Sequence, residues 1–315
     1  MKAVTITDLG GVDRLHYGDI PAPEASSSQV LVRVRACSVN RLDIFTREGS
    51  HGTRLRPSGV PGLDIAGDVV QAPAGSTFEV GDRVMGVASS GAYAEYAVAS
   101  PDRLAPIPPS LTFEEAAAVP TAFCAAWHCI MCKAKLQLGE TVLVIAGGSG
   151  VGSAAIQIAR AASARVITTV GAQEKVEKAL SLGADAVIVH YQEDIRQRVM
   201  ELTDGEGVDL VYDHVGQATW EKSFNSLKVG GRYVTNGVTS GHMAAIHLGR
   251  LWTRDLSVLG TSMRVEEDLQ RVVELVGRGL FHPVIDRELP LSEAQQAHSI
   301  VESGRFFGKI VLRVD

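Results

Sequence analysis

A glycine-rich turn between an apolar strand and a helix is the feature that most limits how this chain can fold. The strand predicted at residues 142–146 runs directly into Gly147-Gly148-Ser149-Gly150-Val151-Gly152, and a helix is predicted over residues 151–162. In dinucleotide-binding folds such a turn uses its first glycine for the bend, a small residue for backbone approach to a pyrophosphate, and its last glycine for close helix packing. We therefore predict a dinucleotide site here; the alternative is a glycine-rich turn without a ligand.

The regions before and after residue 110 follow different patterns. The earlier part contains short apolar runs, such as residues 30–36 and 91–98, separated by turns with glycine or proline, which is typical of a barrel-like β structure. From residue 141, buried strands alternate with helices, as in a doubly wound parallel sheet of the α/β class. We predict a dinucleotide-binding domain at residues 117–264 and a second domain formed by residues 1–116 and 265–315.

The strand that follows the glycine turn favours NADP(H) over NAD(H). Sites for NAD place an acidic residue at the end of this strand, about 20 residues beyond the glycines, where it binds the ribose 2′-hydroxyl. Here Val170-Gly171 occupies that position, and the nearest acid, Glu174, lies in the next predicted helix. Lys175 and either His190 or Tyr191 can meet a 2′-phosphate, although each of them alone is more typical of a solvated surface.

Composition excludes several other classes of protein. The 315 residues carry a net charge of −6, so no basic excess is available for a nucleic-acid backbone. The longest apolar stretch, residues 116–132, is shorter than the ~20 residues that a membrane span needs, and the N-terminus lacks a secretory signal. We expect a cytoplasmic protein that binds neither nucleic acid nor a membrane.

The four cysteines do not predict a disulfide framework or a zinc site. Cys129 and Cys132 have the CxxC spacing of half a structural zinc site, but the chain has no second pair, and Cys37 and Cys124 stand alone. Because residues 116–134 look helical and buried, we expect these cysteines to pack as small apolar side chains.

Six segments, spread over nearly the whole chain, match the pattern of one enzyme superfamily. They are Pro61-Gly62-Leu63-Asp64-Ile65-Ala66-Gly67, Val80-Gly81-Asp82-Arg83-Val84, Gly91-Ala92-Tyr93-Ala94-Glu95-Tyr96, the helix at Thr121, Ala155-Ile156-Gln157-Ile158-Ala159 and Gly308-Lys309-Ile310-Val311-Leu312. With them the chain resembles the medium-chain dehydrogenase/reductase superfamily, and within it the zinc-independent NADPH:quinone oxidoreductases. The resemblance implies a Rossmann domain with a GroES-like, β-barrel-type catalytic domain, NADPH as the cofactor, and a homodimer that pairs through an edge strand, here residues 256–260.

The resemblance also implies an active site without metal. The superfamily's alcohol dehydrogenases hold a catalytic zinc with a cysteine in the first barrel loop and a histidine in a Gly-His-Glu segment. Those positions resemble Asn40 and Leu63 of this chain, and neither side chain is a good zinc ligand. Asn40 and Asp43 match instead the Asn…Asp pattern of the zinc-free reductases.

An active site without zinc disfavours alcohol oxidation, because no Lewis acid ionises the alcohol. Hydride addition to a quinone or an α,β-unsaturated carbonyl remains, with the cofactor carrying the chemistry. Asn40 can donate a hydrogen bond to the acceptor oxygen, or it can simply cap the loop. Thr121 can, by resemblance, bond the nicotinamide amide, or it can simply begin a helix. His214 follows a buried strand and suggests a general acid, although the family's chain passes the cofactor ribose there.

We therefore expect an NADPH-dependent quinone oxidoreductase. The alternatives are a reductase of enones or enoyl thioesters, for which Arg47, Arg54 and Arg56 offer a basic patch, and a nucleotide-binding sensor with little turnover. The predicted catalytic residues are Asn40, Asp43 and Thr121. The predicted cofactor-binding residues are Gly147, Ser149, Gly150, Val151, Gly152, Gly171, Lys175, His190, Tyr191, Val215, Asn236 and Gly237.

Overall fold

The computed structural model describes residues 1–315 and divides them into two compact units. The split unit contains Met1–Cys124 and Val265–Asp315, and the central unit contains Ala125–Arg264. Each unit has a hydrophobic core of its own, as a domain does. The first division between the units falls later than the boundary that we placed after residue 116.

The regular elements are numbered here in chain order. The strands are β1 (Lys2–Ile6), β2 (Leu15–Asp19), β3 (Val30–Ser38), β4 (Asp64–Gln71), β5 (Arg83–Val87), β6 (Tyr96–Ala99), β7 (Leu104–Pro106), β8 (Thr141–Val144), β9 (Arg165–Val170), β10 (Ala186–Val189), β11 (Val208–Tyr212), β12 (Leu227–Thr235), β13 (Ser257–Gly260), β14 (Ile285–Pro290) and β15 (Lys309–Arg313). The α-helices are α1 (Arg41–Glu48), α2 (Phe113–Ala117), α3 (Pro120–Trp127), α4 (Gly150–Ala161), α5 (Val176–Ser181), α6 (Ile195–Leu202), α7 (Trp220–Phe224), α8 (Leu248–Thr253), α9 (Val265–Gly277) and α10 (Ala294–Ser303).

The central unit contains a six-stranded sheet in the order β10-β9-β8-β11-β12-β13, and all neighbouring strands are parallel. The strand order reverses between β8 and β11, where open α/β sheets bind ligands at the carboxyl ends of their strands. The predicted doubly wound sheet is thereby confirmed. β13 forms one edge of the sheet, as the sequence predicted.

The split unit is mainly antiparallel. Its larger sheet follows the path β14-β15-β3-β4-β5-β7, with β6 also paired to β3, and β1 pairs with β2 in a separate ribbon. Only β14 and β15 run parallel. The strand predicted over residues 91–98 is confined to β6. Gly91 has φ +106°, and a Cβ there would lie 2.4 Å from the carbonyl oxygen of Val60, so the chain turns at this glycine. Ahead of β6, the chain makes an isolated bridge between Ala94 and Ala3 and further backbone hydrogen bonds to the strands beside it.

The helix predicted over residues 116–134 is interrupted. It consists of α2, α3 and a π-helical stretch, His128–Lys133. A new helix starts at Pro120 because proline lacks the N–H that would continue the preceding helix and is tolerated in a first turn. The expectation that both cysteines of the CxxC pair are buried is wrong for one of them, since Cys129 is buried and Cys132 is exposed. None of the helices combines the length and the apolar content that crossing a bilayer requires.

The contact between α4 and the end of β8 requires the last glycine of the turn. A Cβ on Gly152 would lie 2.1 Å from the carbonyl oxygen of Ala146 and 2.8 Å from the Cα of Gly147. Both neighbours are backbone atoms, so they cannot rotate away. The predicted role of Gly152 in close helix packing is confirmed.

We predict that Gly152→Ala lowers the free energy of unfolding by about 2 kcal/mol or more, because the backbone must shift to admit the methyl group. The matched control is Gly18→Ala in β2, where a Cβ meets nothing within 4 Å. Urea unfolding of the two variants should give a lower midpoint for the first and an unchanged one for the second. Equal midpoints would show that the turn adapts without cost.

Candidate active site

The glycine turn presents the N-terminus of α4. The left-handed residue of the turn is Ala146, with φ 56°, and not the glycine that we expected to permit the bend. Gly147 is required for another reason, since a Cβ there would lie 2.2 Å from Oγ1 of Thr168. Ser149 is the N-cap of α4: its Oγ accepts a hydrogen bond from the N–H of Gly152 at 2.9 Å and donates to the carbonyl oxygen of Ala146 at 2.9 Å. The cap therefore fixes the start of α4 at Gly150 and Val151, and a helix terminus of this kind favours an anion.

The ends of β11 and β12 lie beside this turn. Nε2 of His214 is 3.0 Å from Oγ of Ser149, and burial lowers the pKa of His214, so the imidazole is neutral. The buried Asp213 carboxylate accepts hydrogen bonds from the N–H groups of Val215 and Gly216, which shapes the loop after β11. His214 thus lies beside the glycine turn, and its lowered pKa does not favour the general-acid role that we considered.

Two further predicted residues follow β12. Oδ1 of Asn236 accepts a hydrogen bond from the Tyr212 hydroxyl at 3.0 Å. A Cβ on Gly237 would lie 3.0 Å from the carbonyl oxygen of His214. The structure therefore brings Val215, Asn236 and Gly237 to the same edge of the sheet as the glycine turn.

The residues predicted to meet a 2′-phosphate lie together at the carboxyl ends of β9 and β10. A Cβ on Gly171 would lie 3.3 Å from Tyr191 and 3.6 Å from His190, whose ring centroids are 4.4 Å apart. Burial, together with the positive charge of Lys175, lowers the pKa of His190. Lys175 is therefore close enough to act on this ring, and the four residues form one basic and aromatic cluster.

The centre of the candidate site in the split unit is the fully buried carboxylate of Asp64, at the start of β4. Its Oδ1 accepts hydrogen bonds from the N–H and the hydroxyl of Thr121, at 3.0 and 2.5 Å. Its Oδ2 accepts from Oγ of Ser38 and Nδ2 of Asn40, each at 2.9 Å. The ammonium group of Lys309 lies 3.3 Å from the same oxygen and compensates its charge.

The side chain of Asn40 is engaged within this cluster. Its Oδ1 accepts a hydrogen bond from Nζ of Lys309 at 2.6 Å, while its Nδ2 donates to Asp64 at 2.9 Å and to the carbonyl oxygen of Ser38 at 3.5 Å. Because both sides of the amide already have partners, the prediction that Asn40 donates to an acceptor carbonyl is not supported. Asn40 is instead the N-cap of α1, which was the alternative interpretation.

A chain of hydrogen bonds leads from the start of α1 to α10. Oδ2 of Asp43 accepts from the N–H of Asn40 at 2.8 Å and from the hydroxyl of Tyr93 at 3.1 Å. The Tyr93 oxygen lies 3.1 Å from Nε2 of His298, whose Nδ1 lies 3.3 Å from Nη1 of Arg47. Arg47 is buried and pairs with Glu302 at 2.5 Å, so it does not contribute to the basic patch that we predicted with Arg54 and Arg56.

Burial governs the protonation of this chain. It raises the pKa of Asp43 to about 7, and the nearby carboxylate of Asp64 also raises it. It lowers the pKa of His298 to about 3, assisted by the positive charge of Arg47. Near neutral pH the imidazole is therefore uncharged, whereas the carboxyl group of Asp43 lies near its midpoint.

A cavity of about 260 Å³ in the split unit is lined by Asp43 and by Leu63, one of the two residues that the resemblance placed at zinc-ligand positions. Its lining residues are Leu42, Asp43, Thr46, Thr53, Arg54, Arg56 and Leu63. Its lining thus includes two leucines, two threonines, one aspartate and two arginines.

Four important side chains escaped the sequence reasoning. Asp64, Tyr93 and Lys309 lie in segments that carried the family resemblance, yet nothing in their spacing indicated that they meet. His298 lies in α10 with no accompanying motif, so no sequence signal pointed to it.

Comparison with known proteins places the chain among oxidoreductases. Residues 150–278 match the family described as "Zinc-binding dehydrogenase", and residues 26–109 match "Alcohol dehydrogenase GroES-like domain". A quinone oxidoreductase of Pseudomonas aeruginosa is 34% identical over 99% of both chains, and quinone oxidoreductase 1 of Escherichia coli is 31% identical over 96% of both.

Solved structures agree with these matches. The Escherichia coli quinone oxidoreductase complexed with NADPH has a TM-score of 0.91 at 30% identity, covering 99% of this chain and all of that one. A structure described as an NAD-dependent alcohol dehydrogenase has a TM-score of 0.93 at 34% identity, covering both chains completely. The combination of a Rossmann domain and a GroES-like domain is thereby confirmed.

We predict that His298 makes stability depend on pH. A histidine whose pKa is lowered in the folded state stabilises the fold above its unfolded-state pKa, near 6.5, and loses this contribution as the pH falls toward 3. When the pH falls from 7 to 5, the unfolding free energy of the unchanged protein should therefore drop by about 2 kcal/mol more than that of His298→Gln. Urea unfolding at both pH values measures the difference. The same substitution at the exposed His16 is the control, and equal pH dependence in all three proteins would contradict the prediction.

Proposed function

Because the chain belongs to the quinone oxidoreductase family of the medium-chain dehydrogenase/reductase superfamily, we propose that it uses NADPH to reduce a quinone or a similar conjugated carbonyl without zinc. The observation that carries this proposal is the buried cluster of Asn40, Asp64 and Lys309. An amide and an ammonium group stand there in place of a metal-ligating set.

The residues of the central unit fit NADPH. The capped start of α4 offers N–H donors and a partial positive charge to the pyrophosphate. Lys175 and the rings of His190 and Tyr191 offer a positive charge and stacking surfaces to the 2′-phosphate end. Gly171 keeps this end free of an acid that would repel the phosphate. We assign Gly147, Val215, Asn236 and Gly237 to the same nucleotide site, since they line the same edge of the sheet.

The residues of the split unit do not fit a catalytic zinc. Leu63 has no ligand atom, and the Asn40 oxygen already accepts a hydrogen bond from Lys309. A dication beside this ammonium group would also be repelled. Without a Lewis acid, the acceptor must be electrophilic by itself, and conjugation in a quinone or an enone meets this need.

NADPH, when bound, supplies the hydride, and we propose distinct roles for the three predicted catalytic residues. The hydroxyl of Thr121 donates to Asp64, so its oxygen remains free to accept a hydrogen bond from the amide N–H of a nicotinamide. Asn40 is a positioning residue that holds the start of α1 against Lys309. Asp43 lines the cavity of the split unit, which we assign to the acceptor.

A second candidate function is reduction of enones or enoyl thioesters. The observation in its favour is that Arg54 and Arg56 line the same cavity and can meet an anionic acceptor. Against a carrier-bound thioester, the third predicted arginine, Arg47, is buried and paired with Glu302.

We predict steady NADPH oxidation with a panel of quinones and enones, faster for quinones, at rates that a chelator does not change. Absorbance of NADPH follows turnover, and elemental analysis of the protein should show no stoichiometric zinc. Preference for enoyl thioesters would favour the second candidate, and binding without turnover would favour a sensor. One zinc per chain, with activity lost on its removal, would contradict the zinc-free proposal.

We predict that Lys175→Ala raises the Michaelis constant for NADPH about tenfold or more and leaves that for NADH unchanged, because only the 2′-phosphate uses the ammonium charge. Lys178→Ala, one helical turn further along the chain, is the matched control. Equal effects on the two cofactors would refute the role of Lys175.

We further propose that the chain forms a homodimer through β13. This edge strand pairs only with β12, and large apolar side chains near it are exposed, among them Trp252 at 77% and Val258 at 42%. Unpaired edges with apolar surface favour association. Light scattering at micromolar concentration should give a dimer for the unchanged protein and a monomer for a Trp252→Glu, Val258→Glu variant. A monomer without any substitution would overturn this proposal.

A further inference from the structure

Hydride addition to a carbonyl acceptor leaves an anionic oxygen, and the cavity of the split unit contains few groups that can protonate it. The hydroxyl of Thr46 donates to the carbonyl oxygen of Leu42 at 2.9 Å, and that of Thr53 donates to backbone carbonyl oxygens at 2.7 Å. The guanidinium groups of Arg54 and Arg56 are too weakly acidic to give up a proton. Asp43 is the one lining residue with a carboxyl group.

The orientation of the Asp43 carboxyl group is set by a hydrogen-bond chain with only one possible direction. Arg47 has donors but no acceptor, so Nδ1 of His298 must accept from it. A neutral imidazole then carries its proton on Nε2 and donates it to the Tyr93 oxygen. The Tyr93 hydroxyl in turn donates to Oδ2 of Asp43. The series of hydrogen bonds therefore ends with Tyr93 donating to Asp43. Its direction cannot reverse, because Arg47 has no acceptor atom.

The charged and titratable groups that face Asp43 come from several elements. The charge of Asp64 in β4 raises the pKa of Asp43, whereas the charge of Lys309 in β15 and the hydrogen bond from Tyr93 lower it, and Cys37 of β3 is close enough to interact with it. Arg56, in the loop before β4, is close enough for its charge to interact with the carboxyl group. Burial outweighs the donors and raises the pKa of Asp43 to about 7, so a substantial fraction of this group is protonated near neutral pH.

We propose that Asp43 donates the proton that accompanies hydride addition, and that Tyr93, His298 and Arg47 are positioning residues that orient its carboxyl group. The inference rests on the proposed reductase function. A hydride with two electrons passes from the dihydronicotinamide of NADPH to the conjugated acceptor. The O–H bond of Asp43 breaks as its proton joins the acceptor oxygen, which leaves a carboxylate that solvent reprotonates before the next turnover.

The first test is the pH dependence of the reduction of 1,4-benzoquinone by NADPH. Because the acid acts in its protonated form, kcat should fall as the pH rises through about 7. Asp43→Asn should lose this basic limb and about 100-fold or more in kcat, with NADPH binding by fluorescence unchanged. Tyr93→Phe removes a donor to the carboxylate, so the pKa rises and the limb should move up by about one pH unit.

A matched pair of substitutions tests the positioning chain. Gln at position 298 offers both an acceptor for Arg47 and a donor for Tyr93, whereas Leu offers neither. The pH profile of kcat in His298→Gln should therefore stay close to that of the unchanged enzyme. The profile of His298→Leu should shift up in pH, as in Tyr93→Phe. Similar losses in both variants without any shift would show a purely structural role and overturn the positioning proposal.

Infrared spectroscopy gives a readout that does not depend on turnover. A protonated carboxyl band should titrate with a midpoint near 7, and it should be missing in Asp43→Asn. Turnover without a basic limb, or without the band, would overturn the role of Asp43 while the reductase function stands. If the protein binds NADPH but reduces no acceptor, the proposed function fails and the inference falls with it.

Discussion

The buried pair of Asp64 and Lys309 is the interaction on which the rest of the split unit depends. The carboxylate is fully buried and accepts five hydrogen bonds, which connect the end of β3, the start of α1, the start of α3 and β15. A buried charge without such partners would strongly destabilise the fold. The five donors are therefore held in one arrangement, and the side chains attached to them gain fixed orientations.

Two of these orientations have chemical consequences. The hydroxyl of Thr121 donates its hydrogen bond to Asp64, so toward a ligand its oxygen can only accept one. Asn40 is held between Lys309 and Asp64 by its side chain, and its backbone N–H donates to the same oxygen of Asp43 that accepts from Tyr93. The same cluster therefore occupies the place where we propose that no metal binds, and it lies next to the group that we propose as the acid. Loss of Lys309 would disturb both, because Asp64 would lose its compensating charge.

Cofactor binding and proton donation, as we propose them, depend on different physical interactions. We propose that the central unit binds NADPH with a helix terminus and a basic cluster, and such interactions need exposed N–H groups and charge. The split unit removes its carboxyl groups from water, and burial shifts the proton equilibrium of Asp43 toward neutral pH. Assigning the two tasks to separate units lets each environment be optimised for its own ligand.

The sequence by itself determined the elements whose signals are local. The glycine turn and the alternation of strands with helices predicted the doubly wound sheet and the residues along its edge, and the absence of an acid at Gly171 favoured NADP(H), because each signal lies within one element and its neighbour. Only the tertiary structure decided the partners of Asn40, since Asp64 and Lys309 lie 24 and 269 residues away along the chain. His298 joined Asp43 through Tyr93 in the same way, from 205 residues beyond that tyrosine. The effect of burial on a pKa depends on all the atoms packed around the group. The spacing of residues along the chain therefore cannot show how far that pKa shifts.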